Sequence, residues 1–269
     1  MSKTPRFAIY PSAHSHTTAE QFRLIATERG CEAMEGDNCP NPDFAVALGG
    51  DGTFLDVASR VADKQIPIIG INTGRLGFLA SYAPDNLNQL IDDIITGNYT
   101  LHSHSLLHLT SPDTQLLGTP YALNEIAILK HDISAMITIH TAINGECLTT
   151  YQADGLLITT PTGSTAYNLS VGGPVIAPST HAICLTPVAP HSLTLRPIVL
   201  DDTAEITLQV ESRSSSFLIS LDGRSQSYPH GIRLTIRKAP HSVHVVTPKK
   251  HSFLSTLREK MMWGADCRE

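Results

Sequence analysis

The sequence is poor in charge, in paired cysteines and in long apolar runs, and each shortage removes a class of function. Only 16% of its 269 residues are charged, and the formal net charge is -6. Sequence-independent nucleic-acid binding needs a dense Lys/Arg surface, so nucleic acid is not expected as a partner. No apolar run reaches the roughly 20 residues of a membrane span, and residues 1–13 lack the long apolar stretch of a secretory signal. No membrane partner is expected either. The five cysteines (Cys31, Cys39, Cys147, Cys184 and Cys267) are odd in number, scattered, and form no CxxC pair. Neither a zinc site nor a disulfide framework follows from them, and a reducing cytoplasm fits best. The P-loop Lys-Ser/Thr, the GxGxxG fingerprint and the GxSxG elbow are also missing.

What is present suffices for a packed core, since 41% of the residues are apolar. The length allows one large domain or two ordinary ones. Thirteen histidines raise the question of a metal, with His14 and His16 flanking a serine and His102, His104 and His108 close together. No acid or cysteine joins them in a ligand pattern, so they read as surface residues of loops and strand ends.

The first hundred residues alternate strand with helix. FAIYP (7–11), DFAVAL (43–48) and IPIIGIN (66–72) read as buried strands. Residues 17–30, 53–62 and 85–97 carry helical spacing; Leu87, Leu90, Ile91, Ile94 and Ile95 form the clearest stripe, and Gly30 and Gly97 end their helices. This alternation predicts a parallel sheet covered on both faces. After about residue 100 the period becomes two. Residues 135–151 alternate around Asn144-Gly145, a hairpin signal, and residues 204–210, SFLISLDGRSQSY and GIRLTIRKA repeat the pattern, with Asp222-Gly223 as a second turn. This half reads as antiparallel sheet. Residues 251–264 return to helical spacing, as a helix docking back on the first domain.

Two stretches carry candidate chemistry. LGGDGTFLDVASR (48–60) places Asp51 among glycines between a strand and a helix. Such a turn brings backbone N–H groups and the positive end of a helix toward phosphate. A carboxylate there repels phosphate unless it binds a metal ion or takes a proton from an attacking hydroxyl; equally, Asp51 or Thr53 could simply cap the helix. DGLLITTPTGSTAYNLSVGGP (154–174) runs from an apolar strand into a loop crowded with Thr159, Thr160, Thr162, Ser164 and Thr165. Tyr167 offers a face for a ring and Asn168 an amide edge, which suits adenine and ribose. A third element, Asn124-Glu125, opens the apolar strand of YALNEIAILK; alone it reads as an edge or a turn.

GGDGT (49–53), NTGRLGFL (72–79), NE (124–125) and the 154–174 stretch, in this order, closely resemble the NAD kinase family, and PHSLTLRP (190–197) and SLDGR (220–224) look like its later motifs. The resemblance runs from about Asp43 to the final helix. GGDG alone is shared with diacylglycerol kinases and phosphofructokinases; the TPTGSTAY loop with NE is more specific. The resemblance implies an N-terminal Rossmann-like α/β domain (1–100), an antiparallel β-rich NAD-binding domain (101–247) and a returning helix (248–269). It implies transfer of the terminal phosphoryl group of ATP, or of polyphosphate, to the 2′-hydroxyl of the adenosine ribose of NAD, with Mg²⁺ or another divalent cation. Homodimers or homotetramers are implied as well.

By the same resemblance Asp51 orients or deprotonates the hydroxyl, and Gly49, Gly50, Gly52 and Thr53 hold phosphate. Asn124 and Glu125 grip adenine and ribose. Ser164, Thr165, Ala166 and Tyr167, flanked by Thr162 and Ser170, form the adenosine loop. Asp154 contacts the nicotinamide end, and Arg75 and Arg196 are candidate phosphate contacts. No protein metal ligand is assigned. Two other readings compete: a GGDG kinase acting on a lipid or sugar hydroxyl, which the TPTGSTAY loop disfavours, and a non-catalytic dinucleotide sensor, which the intact GGDG disfavours.

Overall fold

The computed structural model describes residues 4–74, 77–116, 118–132 and 135–264. In chain order its elements begin β1 (Arg6–Pro11), α1 (His16–Glu28), β2 (Glu32–Glu35), β3 (Phe44–Gly49), α2 (Asp51–Val61), β4 (Ile68–Asn72) and α3 (Leu87–Thr96). The strands β5 (Tyr99–Thr110), β6 (Tyr121–Ala122), β7 (Glu125–Lys130), β8 (Ile137–Ile143), β9 (Glu146–Ala153) and β10 (Gly155–Thr159) follow. After a helical turn α4 (Tyr167–Ser170) come β11 (Ala182–Val188), β12 (Ile198–Asp201), β13 (Ile206–Glu211), β14 (Ser216–Leu221) and β15 (Arg224–Pro229). The long β16 (Arg233–Pro248) and α5 (Phe253–Met261) end the chain.

The fold divides into residues 1–103 with 243–269, and residues 104–242. In the first unit β2, β1, β3, β4 and the second half of β16 form one parallel sheet in that order. Residues 243–247 were expected with the β-rich domain; instead Val245 and Val246 pair with Ile68 and Ile69 and extend this sheet. Pleat alternation explains the layers. Phe7, Ile9, Val46, Leu48, Ile69 and Ile71 share a core with Phe22 and Ala26 of α1 and Leu90, Ile91 and Ile94 of α3. The other face packs α2 against β3 and β4, so closely that a Cβ at Gly70 would stand 3.0 Å from the Phe54 ring. The α3 stripe is narrower than its spacing predicts, because Ile95 is 43% exposed. Gly97 ends that helix at φ +69°. The edge strand β2 was not foreseen: it has no buried residue and no apolar alternation.

The second unit is antiparallel. One sheet runs β12-β11-β10-β7-β14-β15, and the other joins the first half of β16 to β13, β8 and β9. Their inward residues, among them Ile126, Ile128, Leu156, Ile158, Ile206, Leu208, Val210 and Ile236, make one buried cluster. Asn144-Gly145 closes the β8–β9 hairpin at φ +51° and +84°, and Asp222-Gly223 closes β14–β15 at +49° and +83°, the geometry of a two-residue turn with both φ positive. His102, His104 and His108 lie within β5, not in loops or at strand ends. His108 stacks on Tyr121, and His104 Nδ1 is 2.8 Å from the Thr162 hydroxyl.

Candidate active site

The glycine turn of the first unit is built around Asp51. Gly50 is the N-cap of α2, and no side chain caps the helix, so neither Asp51 nor Thr53 serves that purpose. Asp51 instead reaches the NTGRLGFL segment: its Oδ2 accepts the Phe78 N–H at 2.8 Å and its Oδ1 the Leu79 N–H at 3.1 Å. Two motifs 27 residues apart in sequence thus form one device. Two glycines are needed for the close fit. A Cβ at Gly77 would lie 2.9 Å from Asp51 Oδ1, and one at Gly49 would lie 2.3 Å from the Thr53 hydroxyl. Gly50 and Gly52 differ, since a Cβ on either meets nothing within 4 Å. Their lack of side chains leaves open space beside a half-buried carboxylate.

In the second unit Asn124 and Glu125 sit at the start of β7, gripped from three directions. The Asp222 carboxylate accepts the N–H groups of Leu123, Asn124 and Glu125 at 2.7, 2.8 and 3.1 Å. The Thr160 hydroxyl donates to the Leu123 carbonyl at 2.6 Å, and the Thr160 N–H to the Asn124 carbonyl at 2.9 Å. Gly163 passes so near that a Cβ would stand 2.2 Å from that same carbonyl oxygen. Asn124 Oδ1 and Glu125 Oε2 are buried without a hydrogen-bond partner among the described residues. Orphaned buried polar atoms are costly, and here two lie on adjacent residues. Burial, and then the nearby charge of Asp222, push the Glu125 carboxyl up to about 7.

The 154–174 stretch is more ordered than a loop. Residues 162–165 form a 3₁₀ turn leading into α4. Several of its polar groups fasten the fold: the hydroxyls of Thr160 and Thr162 bond the Leu123 carbonyl and His104, whereas the Thr159 hydroxyl is buried without a partner among the described residues. Ser164 is fully buried, donates to the Ile176 carbonyl at 3.1 Å and accepts the Ile176 N–H at 2.9 Å. Asn168 is also fully buried: its Nδ2 donates to the Pro174 carbonyl at 3.1 Å, and its Oδ1 accepts the Thr186 hydroxyl at 2.6 Å. It braces the turn and has no amide edge to offer a base. Tyr167 is 38% exposed, Ser170 is exposed, and Thr165 and Ala166 are half-buried. Asp154 pairs with Lys130 at 2.7 Å.

Comparison with known proteins gives this arrangement a family. Residues 6–99 match the ATP-NAD kinase N-terminal domain and residues 123–247 the ATP-NAD kinase C-terminal domain. The chain belongs to the NAD kinase family. It is similar to the NAD kinase of Bacteroides fragilis, with 57% identity over 86% of this chain and 80% of that one. Similarity to the NAD kinase of Cytophaga hutchinsonii is 44% over 84% and 78%. Among solved structures, an NAD kinase from Archaeoglobus fulgidus in complex with ATP superposes with a TM-score of 0.80 at 25% identity, covering 97% of this chain and 99% of that one. Yeast NADH kinase complexed with NADH shares the fold, with a TM-score of 0.88 at 24% identity over 100% and 90% of the two chains.

Of the residues expected from the family resemblance, the first unit brings Gly49, Gly50, Asp51, Gly52 and Thr53 together with the Gly77–Leu79 segment. The second brings Asn124 and Glu125 onto the Thr160–Ser164 turn. Arg75 lies outside the described residues. Arg196 is exposed and spends its Nη1 on the carbonyls of Leu193 and Leu195, both at 2.7 Å. Asp222 received no site role from the sequence, although SLDGR was visible as a family motif; its function only emerges once β14 is paired with β7.

Proposed function

We propose that in the NADP-forming reaction of this NAD kinase Asp51 orients and deprotonates the acceptor, the 2′-hydroxyl of the adenosine ribose of NAD, with ATP as the phosphoryl donor. The observation that carries this is a carboxylate fixed by two backbone N–H bonds and flanked by glycines whose own Cβ positions open onto free space. Fixing the base spends no freedom at the moment of reaction, and phosphoryl transfer depends mostly on such positioning. The hydroxyl proton passes to Asp51, the ribose oxygen bonds to the terminal phosphorus, and the bond to the leaving diphosphate breaks, giving NADP and ADP.

In the second unit the buried carboxyl of Glu125 and the amide oxygen of Asn124 hold ribose hydroxyls and the adenine edge, which would satisfy both orphaned atoms. Tyr167 stacks on the ring. Thr162, Thr165, Ala166 and Ser170 shape the same pocket wall, Ser164 holds it from within, and Asp154 serves the nicotinamide end.

No three His, Cys, Asp or Glu side chains among the described residues gather as metal ligands. A Mg²⁺-type cation would be held chiefly by the oxygens of the nucleotide phosphates, with no protein ligand assigned to it. Such an ion, when bound, neutralises phosphate charge. A homodimer or homotetramer in the cytoplasm completes the reading; the described cysteines are free thiols, as a reducing compartment keeps them. Among the described residues no helix is long and apolar enough to cross a membrane.

The test is an incubation with NAD, ATP and Mg²⁺ assayed for NADP, repeated with polyphosphate as donor. Product from ATP supports the proposal. Absence of product with intact NAD binding would leave a dinucleotide sensor, and phosphorylation of a sugar or lipid hydroxyl alone would leave the other GGDG kinase reading.

A further inference from the structure

The segment that grips Asp51 continues one residue further to Ala80, and the Ala80 carbonyl accepts a bond from Lys260 Nζ at 3.4 Å. Lys260 lies on α5, whose N-terminus is capped by Ser252 and whose Leu257 is buried in the same unit. An ammonium has three donors, and this long bond engages one of them weakly. Among the described residues Lys260 has no second hydrogen-bond partner. It is half-buried, and desolvation holds its pKa below the usual lysine value even though the charges of Asp51 and Glu259 pull the other way. His251, itself lowered by burial, feels the positive charge of Lys260 and of His102. A cation is thus kept partly out of water, next to another basic group and within electrostatic reach of the GGDG carboxylate.

We propose that Lys260 is a phosphate-contacting residue of the transfer reaction, its ammonium held on the Ala80 carbonyl so that it neutralises the phosphates of the donor brought to Asp51. This rests on the reading of Asp51 given above. A fixed carboxylate repels the polyanion it must act upon, and a fixed cation in the same unit offsets that repulsion where water is partly excluded. A lysine suits the task as a compact point charge. The competing explanation is mechanical: Lys260 tethers α5 to the 78–80 segment and nothing more.

The two separate with three variants of the full-length protein. Lys260→Gln removes the charge and keeps an NH₂ donor one bond shorter, Lys260→Met removes both, and Lys260→Arg keeps the charge. Steady-state kinetics are measured with ATP varied at saturating NAD and the reverse, alongside thermal unfolding. The Gln and Met variants should both lose roughly ten- to hundredfold in kcat/KM for ATP, the scale of a lost hydrogen bond to a charged group. Their KM for NAD should stay near the wild-type value, and the Arg variant should recover most of the loss. Wild-type ATP kinetics in Lys260→Gln would reduce Lys260 to a tether and overturn the proposal. So would equal damage to the NAD and ATP parameters in all three. If the Met variant fails to fold, Gln and Arg still decide. Wild-type protein that makes no NADP would instead sink the reading of Asp51 beneath it, an outcome distinct from normal NADP formation by the charge-free variants.

Discussion

Asp222 and Glu125 hold each other through the backbone. The Asp222 carboxylate accepts the Glu125 N–H at 3.1 Å, and the Asp222 N–H donates to the Glu125 carbonyl at 3.1 Å. The pair closes the β7–β14 register where it runs out at Ile126 and Leu221. The Arg224 guanidinium fastens the same turn, donating to the Leu221 carbonyl at 3.1 Å and the Tyr121 carbonyl at 2.6 Å. Two acids therefore meet in a buried corner, and burial also raises Asp222 while its three N–H bonds and Arg224 oppose that rise. The consequence for Glu125 is measurable.

With its carboxyl pushed up to about 7 from an ordinary value of 4.5, Glu125 binds more proton in the native state than in the unfolded state between those limits. Stability from this group is full below about pH 4.5 and is lost as pH rises through about 7. Glu125→Gln should flatten that slope and, at pH 8, raise unfolding stability relative to wild type by at most about 3 kcal/mol. Urea unfolding at pH 5 and pH 8 checks this. Parallel pH dependence in the two proteins would show that Glu125 ionises normally.

Asp51→Asn should lower kcat by roughly 10²–10⁴-fold, the scale of a lost general base, while NAD affinity largely survives. The structure adds a cost in folding. The amide turns one NH₂ toward the N–H of Phe78 or Leu79, which loses its acceptor, so a drop of roughly 1–3 kcal/mol in stability accompanies the kinetic loss. Turnover close to wild type would remove Asp51 from the chemistry, whatever the unfolding data showed.

The parallel sheet and the hairpins were readable because their signals are local. Leu90, Ile91 and Ile94 sit at helical spacing, and Asn144-Gly145 is a turn by residue type alone. The polar contacts of the site were not. Nothing in the spacing says that Asp51 bonds 27 residues ahead, or that Asp222 lies 97 residues beyond the Glu125 it supports. Ser164 and Asn168 misled for a related reason: hydroxyl and amide groups look alike in sequence whether they face a ligand or fasten their own turn, and burial decides. Lys260 was invisible because an apolar stripe on a terminal helix draws attention to the packed face, whereas the charge lies beside it.

Gly163 tests how far the NE pair depends on the turn beneath it. Its missing side chain admits the Asn124 carbonyl, and a Cβ would stand 2.2 Å from that oxygen and 2.5 Å from its carbon, both backbone atoms that yield only if the strand moves. Gly163→Ala should cost roughly 1–3 kcal/mol in stability by overpacking and weaken NAD binding as Asn124 and Glu125 shift. Gly145→Ala offers the control: at φ +84° with nothing within 4 Å of its Cβ, it strains the β8–β9 turn without touching that carbonyl or Asp222. Equal NAD affinity in the two variants would disconnect Gly163 from the site.

Tyr167 is the exposed aromatic of the same segment, at the first position of α4, and among the described residues its side chain has no hydrogen-bond or ring partner that accounts for its placement. If its face receives the adenine ring, removal should cost about 1–3 kcal/mol of binding, the usual worth of stacking one base on an aromatic. Tyr167→Ala should then weaken NAD binding in a calorimetric titration roughly tenfold or more, Tyr167→Phe should bind nearly as wild type, and both should unfold at the wild-type temperature because the ring packs against little. The three results together discriminate stacking from burial: a structural tyrosine would lower the unfolding temperature, and a hydroxyl contact would make the Phe variant as weak as the Ala variant. Unchanged affinity in Tyr167→Ala refutes the stacking role outright.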